Sequence, residues 1–506
     1  MNKAMAAPAA ATSEAAHRVH ADDDVAVALR PLRAGEVVEV QGAAVTLRDD
    51  VPEGHKLTLR ALAAGAPVRK YGWPIGLAAA DIEPGRHVHT HNLRTALCGL
   101  DEYRYEPVSA APTQVASART FMGYRRRDGR VGTRNEIWIL CTVGCVARTA
   151  QKIAAAAGSQ FAGRVDGVHA FTHPFGCSQL GDDLDATRRI IAALAGHPNA
   201  GGVLIVGLGC ENNQLDDLLA SAPEIDRERL RAFSAQASDD ELEEGLRAVE
   251  ELVAVAELDR REPWPLSELV LGLKCGGSDG FSGVTANPLV GRVADVVANA
   301  GGTPVLTEIP EIFGAERLLM ARASDEAVFR EVAAVVNDFK RYFLDHGQPV
   351  HENPAPGNVA GGITTLEEKS LGAVQKAGHA PLAQVLRYGE QVRGHGLALL
   401  EAPGNDAVSS TALTAAGATV LLFTTGRGTP LGFPAPTLKI ASNSALAERK
   451  PRWIDFDAGT VLNGTSMETA AEALLDLVVR TASGEPTRAE LNGEREIAIW
   501  KSGVTL

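Results

Sequence analysis

From residue 121 onward one unit recurs: an apolar run, a glycine at its end, then a stretch with helical spacing. "EIWILCTVGC" ends at Gly144-Cys145 and is followed by "VARTAQKIAAAAG". "GVHAFTHPFGC" ends at Gly176-Cys177 and leads into "DDLDATRRIIAALAG". "GGVLIVGLGC" ends at Gly209-Cys210 before "NNQLDDLLASA". A second series starts with "SELVLGLKCGGSDG" and continues through "TPVLTEIPEIFGAERLLMARA", "LALLEAPGNDAVSSTALTAAG" and "TVLLFTTGRGTP". Apolar strands that alternate with helices predict βαβ units and an α/β fold with a parallel sheet. In such sheets ligands bind beyond the carboxyl ends of the strands. Cys145, Cys177, Cys210, Cys275, Glu308, Glu401, Asn405, Asp406 and Arg427 all fall there.

The amino-terminal part has a different period. "VAVALRPL", "EVVEV", "AVTLRDDV", "KLTLRAL" and "HVHTHNL" are brief alternating runs split by Gly, Pro and Asp, which predicts a small β-rich domain over 24–93. An Ala-rich segment, 1–23, precedes it and reads as a disordered tail without the apolar core of a signal peptide. Residues 94–120, rich in Pro, Ser, Ala and Thr, read as a linker. The remainder divides into a second α/β domain, 121–262, and a C-terminal domain, 263–506. A chain of 506 residues is too long for one ordinary core and suits about three domains.

A net charge of -14 argues against nucleic acid, which needs a basic face. No apolar run approaches a membrane span. Six cysteines in so long a chain are no disulfide framework and suit a reducing cytoplasm.

Four of the cysteines share one setting. Cys145, Cys177, Cys210 and Cys275 each sit at a strand end beside glycine. A single cysteine there reads as a small buried hydrophobe; four point to a soft-ligand metal site or redox chemistry. No CxxC pair marks a zinc ribbon. Around Cys275, the glycines of "CGGSDG" let backbone approach a ligand closely, and Ser278 and Asp279 supply oxygen donors. In "HVHTHN" a strand would put His87, His89 and His91 on one face, where they could bind metal, move protons or grip a polyol. Loops such as "GCENNQ", "GGSDGFSG" and "APGND" suit a hydroxylated small molecule, and no nucleotide fingerprint is present.

Many of these stretches occur together, in the same order, in one family. On "KYGWPIG", "HVHTHN", "GRVGTRNEIWIL", "TVGC", "GCSQLGDD", "HPNAGGVLIVGLGCENNQ", "CGGSDGFSGVTANP", "TEIPEIFGAE", "AGGITTLEEKS", "APGNDA" and "TTGRGTP" the chain resembles the altronate and galactarate dehydratase family, from Asp24 to "KSGVTL". The resemblance implies a SAF-type β-clip domain, a second domain that serves dimerisation, and a Rossmann-like C-terminal domain. It also implies a hydro-lyase of hexuronate catabolism that uses Fe2+, with Mn2+ as a substitute and an iron–sulfur cluster as an alternative. "FGCSQLGDD" and "TVGC" lie nearer the altronate branch, so dehydration of altronate to 2-dehydro-3-deoxy-D-gluconate is expected. Galactarate dehydration and C–S lysis of a sulfolactate are the alternatives; outside catalysis, a sugar-acid-binding module is the competing class.

The chemistry assigns roles. The C2 proton of a 2-hydroxy acid is very weakly acidic, so a divalent metal, a base and an acid are required. Cys145, Cys177, Cys210 and Cys275 are the expected metal ligands; His55, Lys56 and His89 the expected acid–base groups; Arg134, Asn405 and Arg427 the expected substrate contacts. The expected assembly is a homodimer.

Overall fold

The computed structural model describes residues 14–108, 118–222 and 224–504. The first domain is antiparallel throughout. One sheet runs Ala16–His17, Val25–Ala28, Lys56–Thr58, His87–Val88; a hairpin joins Val37–Val40 to Ala43–Thr46; a third sheet joins Pro67–Lys70, Trp73–Ala78 and Leu93–Arg94. The strands are short because Gly, Pro and Asp interrupt the alternation every few residues.

Order begins before Asp24. Ala16 and His17 pair with Ala28 and Val27, and Ala16 is fully buried. The Asp23 carboxylate accepts from the His20 and Gly72 amides at 3.0 and 2.7 Å. The expected tail therefore ends earlier than residue 23, and its residues 1–13 lie outside the described residues.

The segment expected as a linker is also anchored in part. Tyr103 donates to Glu316 at 2.6 Å and receives from Lys340 at 3.0 Å. Tyr105 packs on Phe329, ring centroids 5.2 Å apart. Two aromatic side chains give this Pro- and Ser-rich stretch enough apolar area to dock on the C-terminal domain; residues 109–117 lie outside the described residues.

The second domain holds a parallel sheet in the order Gly167–Phe171, Glu136–Cys141, Ala200–Gly207, Leu230–Ser234. Alternation along its strands splits the core in two. Ile137, Ile139, Leu204 and Val206 face Ile153, Val249 and Leu252. Trp138, Leu140, Val203 and Ile205 pack with Leu413, Leu421 and Phe423 of the C-terminal domain. Thr120–Arg125 and Glu262–Pro265, at the two ends of this domain, pair antiparallel, Phe121 opposite Trp264.

The C-terminal sheet has seven parallel strands in the order Leu382–Leu386, Leu397–Leu400, Thr303–Leu306, Val270–Cys275, Val420–Thr425, Thr437–Ala441, Phe456–Asp457. From Val270–Cys275 the chain winds first to one side and later to the other. This central strand therefore ends at the topological switch point, where α/β sheets bind ligands. Among the described residues no helix is long and apolar enough to cross a membrane.

Candidate active site between the first domain and the C-terminal sheet

Four loops meet at the carboxyl end of the central strand: 53–55 of the first domain, 276–282 after Cys275, 358–364, and 426–427 after Val420–Thr425. Their backbones touch. Gly280 donates to the Gly361 carbonyl at 2.7 Å. A Cβ on Gly280 would sit 1.9 Å from the Gly54 oxygen, and one on Gly362 2.3 Å from the same atom. Only glycine permits this approach. Asp279 holds the centre, accepting from Ser282 and Ser442 hydroxyls at 2.8 Å each and from Asn443 at 3.0 Å.

The first domain brings three imidazoles here. His55, His87 and His89 each place a ring nitrogen so that all three lie within 4.8 Å of one another, and His55 Nδ1 is 3.0 Å from His87 Nε2. His87 opens the two-residue strand His87–Val88, and His89 and His91 lie in the turn after it, so the expected single strand face of three histidines does not form. Burial, then neighbouring positive charge, lowers the pKa of His87 to about 3 and of His89 to about 4; burial lowers His55 as well. All three are neutral at pH 7 and present lone pairs.

Beneath them Lys56 is wholly buried. Its ammonium donates to the Gly362 carbonyl at 2.7 Å and to Thr364 Oγ1 at 2.9 Å, and pairs with Glu368 at 2.9 Å. Glu368 pairs with Lys70 through its other oxygen, also at 2.9 Å. Burial lowers Lys56 to about 8 against the pull of Glu368. Burial opposes ionisation of Glu368 too, yet the two lysines hold it down to about 2. With every proton engaged, Lys56 is a docking and orienting group here rather than a base that reaches substrate. Thr364 also lies 3.1 Å from His89 Nδ1 and so fixes that ring.

Cys275 belongs to a different cluster. Its sulfur is 3.5 Å from both Glu308 and Glu311 and accepts from Lys376 at 2.7 Å. Lys274 pairs with Glu308 and, at 2.8 Å, with Asp406; Lys369 pairs with Glu311 at 2.8 Å. Three lysines already balance three carboxylates. Burial, then Glu308, pushes the thiol up to about 12, so it stays protonated. Cys275, Glu308 and Glu311 place one donor atom each within 4.8 Å of one another, the spacing of a metal site, but the three ammonium groups against them oppose a divalent ion.

The other expected residues scatter. Cys145 lies in the short 3-10 helix Gly144–Val146 and Cys177 and Cys210 on loops of the second domain, all three exposed, whereas Cys275 is buried in the C-terminal domain. Arg134 is buried between domains, paired with Glu490 at 2.9 Å and donating to the Thr481 carbonyl at 2.9 Å, which makes it a structural cross-link. Asn405 caps the helix Asp406–Ala415 by accepting from Ala407 and Val408 amides. Arg427 does reach the site: its amide donates to the Gly277 carbonyl at 3.0 Å, its side chain is exposed, and among the described residues its guanidinium makes no ion pair.

Three family profiles match in succession: the altronate/galactarate dehydratase SAF domain over 14–96, the second domain of D-galactarate dehydratase/altronate hydrolase over 123–257, and the C-terminal part of D-galactarate/altronate dehydratase over 266–505. Altronate dehydratase of Escherichia coli (strain K12) is 53% identical over 97% of this chain and 99% of its own length. The chain belongs to the altronate/galactarate dehydratase family. Altronate dehydratase of Bacillus subtilis (strain 168) is 47% identical over the same shares, and galactarate dehydratase (L-threo-forming) of Escherichia coli (strain K12) 32% over 92% of each chain. The first domain is thus the family's SAF domain, and the expected fold of SAF β-clip plus parallel α/β body stands.

Sequence reasoning placed the site at the strand ends but missed most of its wiring. Glu311, Thr364, Glu368, Lys369 and Lys376 come from "TEIPEIFGAE" and from the helical stretch around "LEEKS". Nothing in their local spacing sets them apart, and only their burial reveals Thr364 and Glu368 as partners of SAF-domain lysines and Glu311 and Lys376 as neighbours of Cys275.

Proposed function

We propose that this chain removes water from altronate to give 2-dehydro-3-deoxy-D-gluconate at the seam between its SAF domain and C-terminal sheet. The observation that carries the reading is 53% identity, over 97% of the chain, to a protein named altronate dehydratase. The seam supplies suitable chemistry.

The donor set of His55, His87 and His89 fits a ferrous or manganous ion. Neutral imidazoles are suitable ligands. Two nitrogens bound at about 2.1 Å and at right angles lie about 3 Å apart, and His55 and His87 stand at 3.0 Å. Such an ion supplies Lewis acidity toward the substrate carboxylate, which must carry extra negative charge when C2 loses its proton. Arg427 offers a guanidinium for that carboxylate. Glu53, one residue before Gly54, is the base of this proposal: partial burial and then the charge of Asp279 raise its pKa above the usual carboxylate value. Thr364, held by Lys56, keeps His89 in register. Hydroxide leaves C3, and the enol that results tautomerises to the ketone. The free cysteines accord with a reducing cytoplasm.

The test is turnover of altronate, galactarate and sulfolactate in anaerobic buffer with ferrous iron. Altronate should yield a 2-keto acid with the highest kcat/KM, and a chelator should abolish the reaction. A higher kcat/KM on galactarate, or full turnover by metal-stripped protein, defeats the substrate and the metal reading respectively.

A further inference from the structure

Two helices flank the central strand of the C-terminal sheet. Leu289 and Val293 of Ala286–Asn299 pack with Leu271 and Leu273, whereas Leu413 of Asp406–Ala415 packs with Leu421 and Phe423. They lie on opposite faces of the sheet, and the space over Gly276 and Gly277 is the crevice of the switch point. Two side chains border that dipeptide. A Cβ on Gly276 would stand 2.6 Å from Asp406 Oδ2, and one on Gly277, at φ 64°, 3.3 Å from Arg427 Cβ. Asp406 is held from below. Its Oδ1 accepts from Lys274 at 2.8 Å, and the Lys274 ammonium, 0% exposed, also donates to the Cys275 carbonyl at 2.8 Å and pairs with Glu308. Burial works against the charge of Lys274, yet Glu308 and then Asp406 hold its pKa above the ordinary lysine value. Asp406 Oδ2 takes no hydrogen bond among the described residues, and the side chain is 36% exposed.

We propose that Asp406 is a substrate-binding residue, its Oδ2 accepting from hydroxyls beyond C3 of the sugar acid whose carboxylate lies at Arg427. The inference rests on the reading above that a sugar acid occupies this seam. Neighbouring Cα atoms are about 3.8 Å apart, comparable with the run from C1 to C4 of an extended carbon chain. A carboxylate at Arg427 and a chain laid over Gly277 and Gly276 therefore bring the C4 hydroxyl to Asp406. The two glycines leave the backbone bare where that chain lies. A carboxylate oxygen is an acceptor only, which suits a hydroxyl and gives a charge-assisted hydrogen bond. Lys274 does not touch substrate, because its three protons go to Cys275, Glu308 and Asp406. It is a positioning residue that keeps one oxygen of Asp406 occupied and the other turned to the crevice.

The test compares altronate with glycerate, which keeps the carboxylate and the C2 and C3 hydroxyls and lacks every hydroxyl beyond them. The full chain is assayed in anaerobic buffer with ferrous iron, with glycerate as inhibitor. Asp406→Asn should lower kcat/KM on altronate about tenfold or more, the worth of a hydrogen bond to a charged group, and leave the inhibition constant of glycerate unchanged. Lys274→Gln should show the same split between the two compounds, which a purely structural lysine would not. Arg427→Ala should weaken both alike. Galactarate also carries hydroxyls beyond C3, so the same loss is read on galactarate if that is the better substrate. Asp406→Ser is the second variant, and a wild-type melting temperature with unchanged glycerate inhibition shows that a variant has folded. Equal losses on altronate and glycerate, or an unchanged kcat/KM in either folded Asp406 variant, would overturn the proposal. No turnover of either sugar acid by the wild-type chain would instead defeat the underlying reading, and this contact with it.

Discussion

Glu368→Gln tests how the two ends of the chain are held together. Glu368 lies on the helix Leu366–Ala373 of the C-terminal domain, and its partners, Lys56 and Lys70, belong to the SAF domain. All three side chains are 0–1% exposed. The fold lowers the Glu368 pKa from 4.5 to about 2; at about 1.4 kcal/mol per unit this is worth roughly 3 kcal/mol. Loss of one member of a buried pair typically costs about 3–5 kcal/mol, because the remaining charge is left uncompensated. The amide should therefore weaken domain docking by about two orders of magnitude. The assay is urea unfolding at pH 7, with limited proteolysis between the domains as a second readout. The pH dependence has a fixed sign. A carboxyl with a depressed pKa contributes fully above its unfolded value of 4.5 and loses that contribution as the pH falls toward about 2. The gap between wild type and variant should narrow over that window. A gap below about 0.5 kcal/mol at pH 7, or one that does not change with pH, would refute the reasoning.

Other outcomes follow from the same geometry. His87→Gln should weaken Mn2+ binding, measured by calorimetry, at least tenfold on the order expected for a lost ligand. Because His87 and His89 titrate at about 3 and about 4, metal affinity should stay level from pH 8 to about 5 and fall only as protons compete near those values. Cys275→Ser should leave bound metal unchanged and lower stability by about 1 kcal/mol through a changed contact with Lys376; loss of metal would reinstate the thiol as a ligand. Arg134→Met should cost about 3–5 kcal/mol by stranding Glu490, with KM for altronate unchanged in the folded fraction.

What was legible in the sequence is what repeats locally. Apolar runs with a glycine at the end and helical spacing after it specify parallel βαβ units, since period and turn chemistry act over a few residues. The strand ends then point to where ligands bind, and Cys275, Glu308, Asn405, Asp406 and Arg427 are all found there. The tertiary structure alone decided which of these groups meet. Four cysteines in one local setting belong to two domains, three exposed and one sealed under three lysines. Lys56 and Glu368 stand 312 positions apart in the chain and meet at 2.9 Å. His87 joins His55 because its strand pairs antiparallel with Lys56–Thr58, and His89 joins them because a turn follows that strand. Charge pairing and desolvation depend on distance and burial, and neither is encoded in spacing along the chain. Strand periodicity fixes secondary structure, whereas the domain docking that buries Glu368 between two lysines creates the seam.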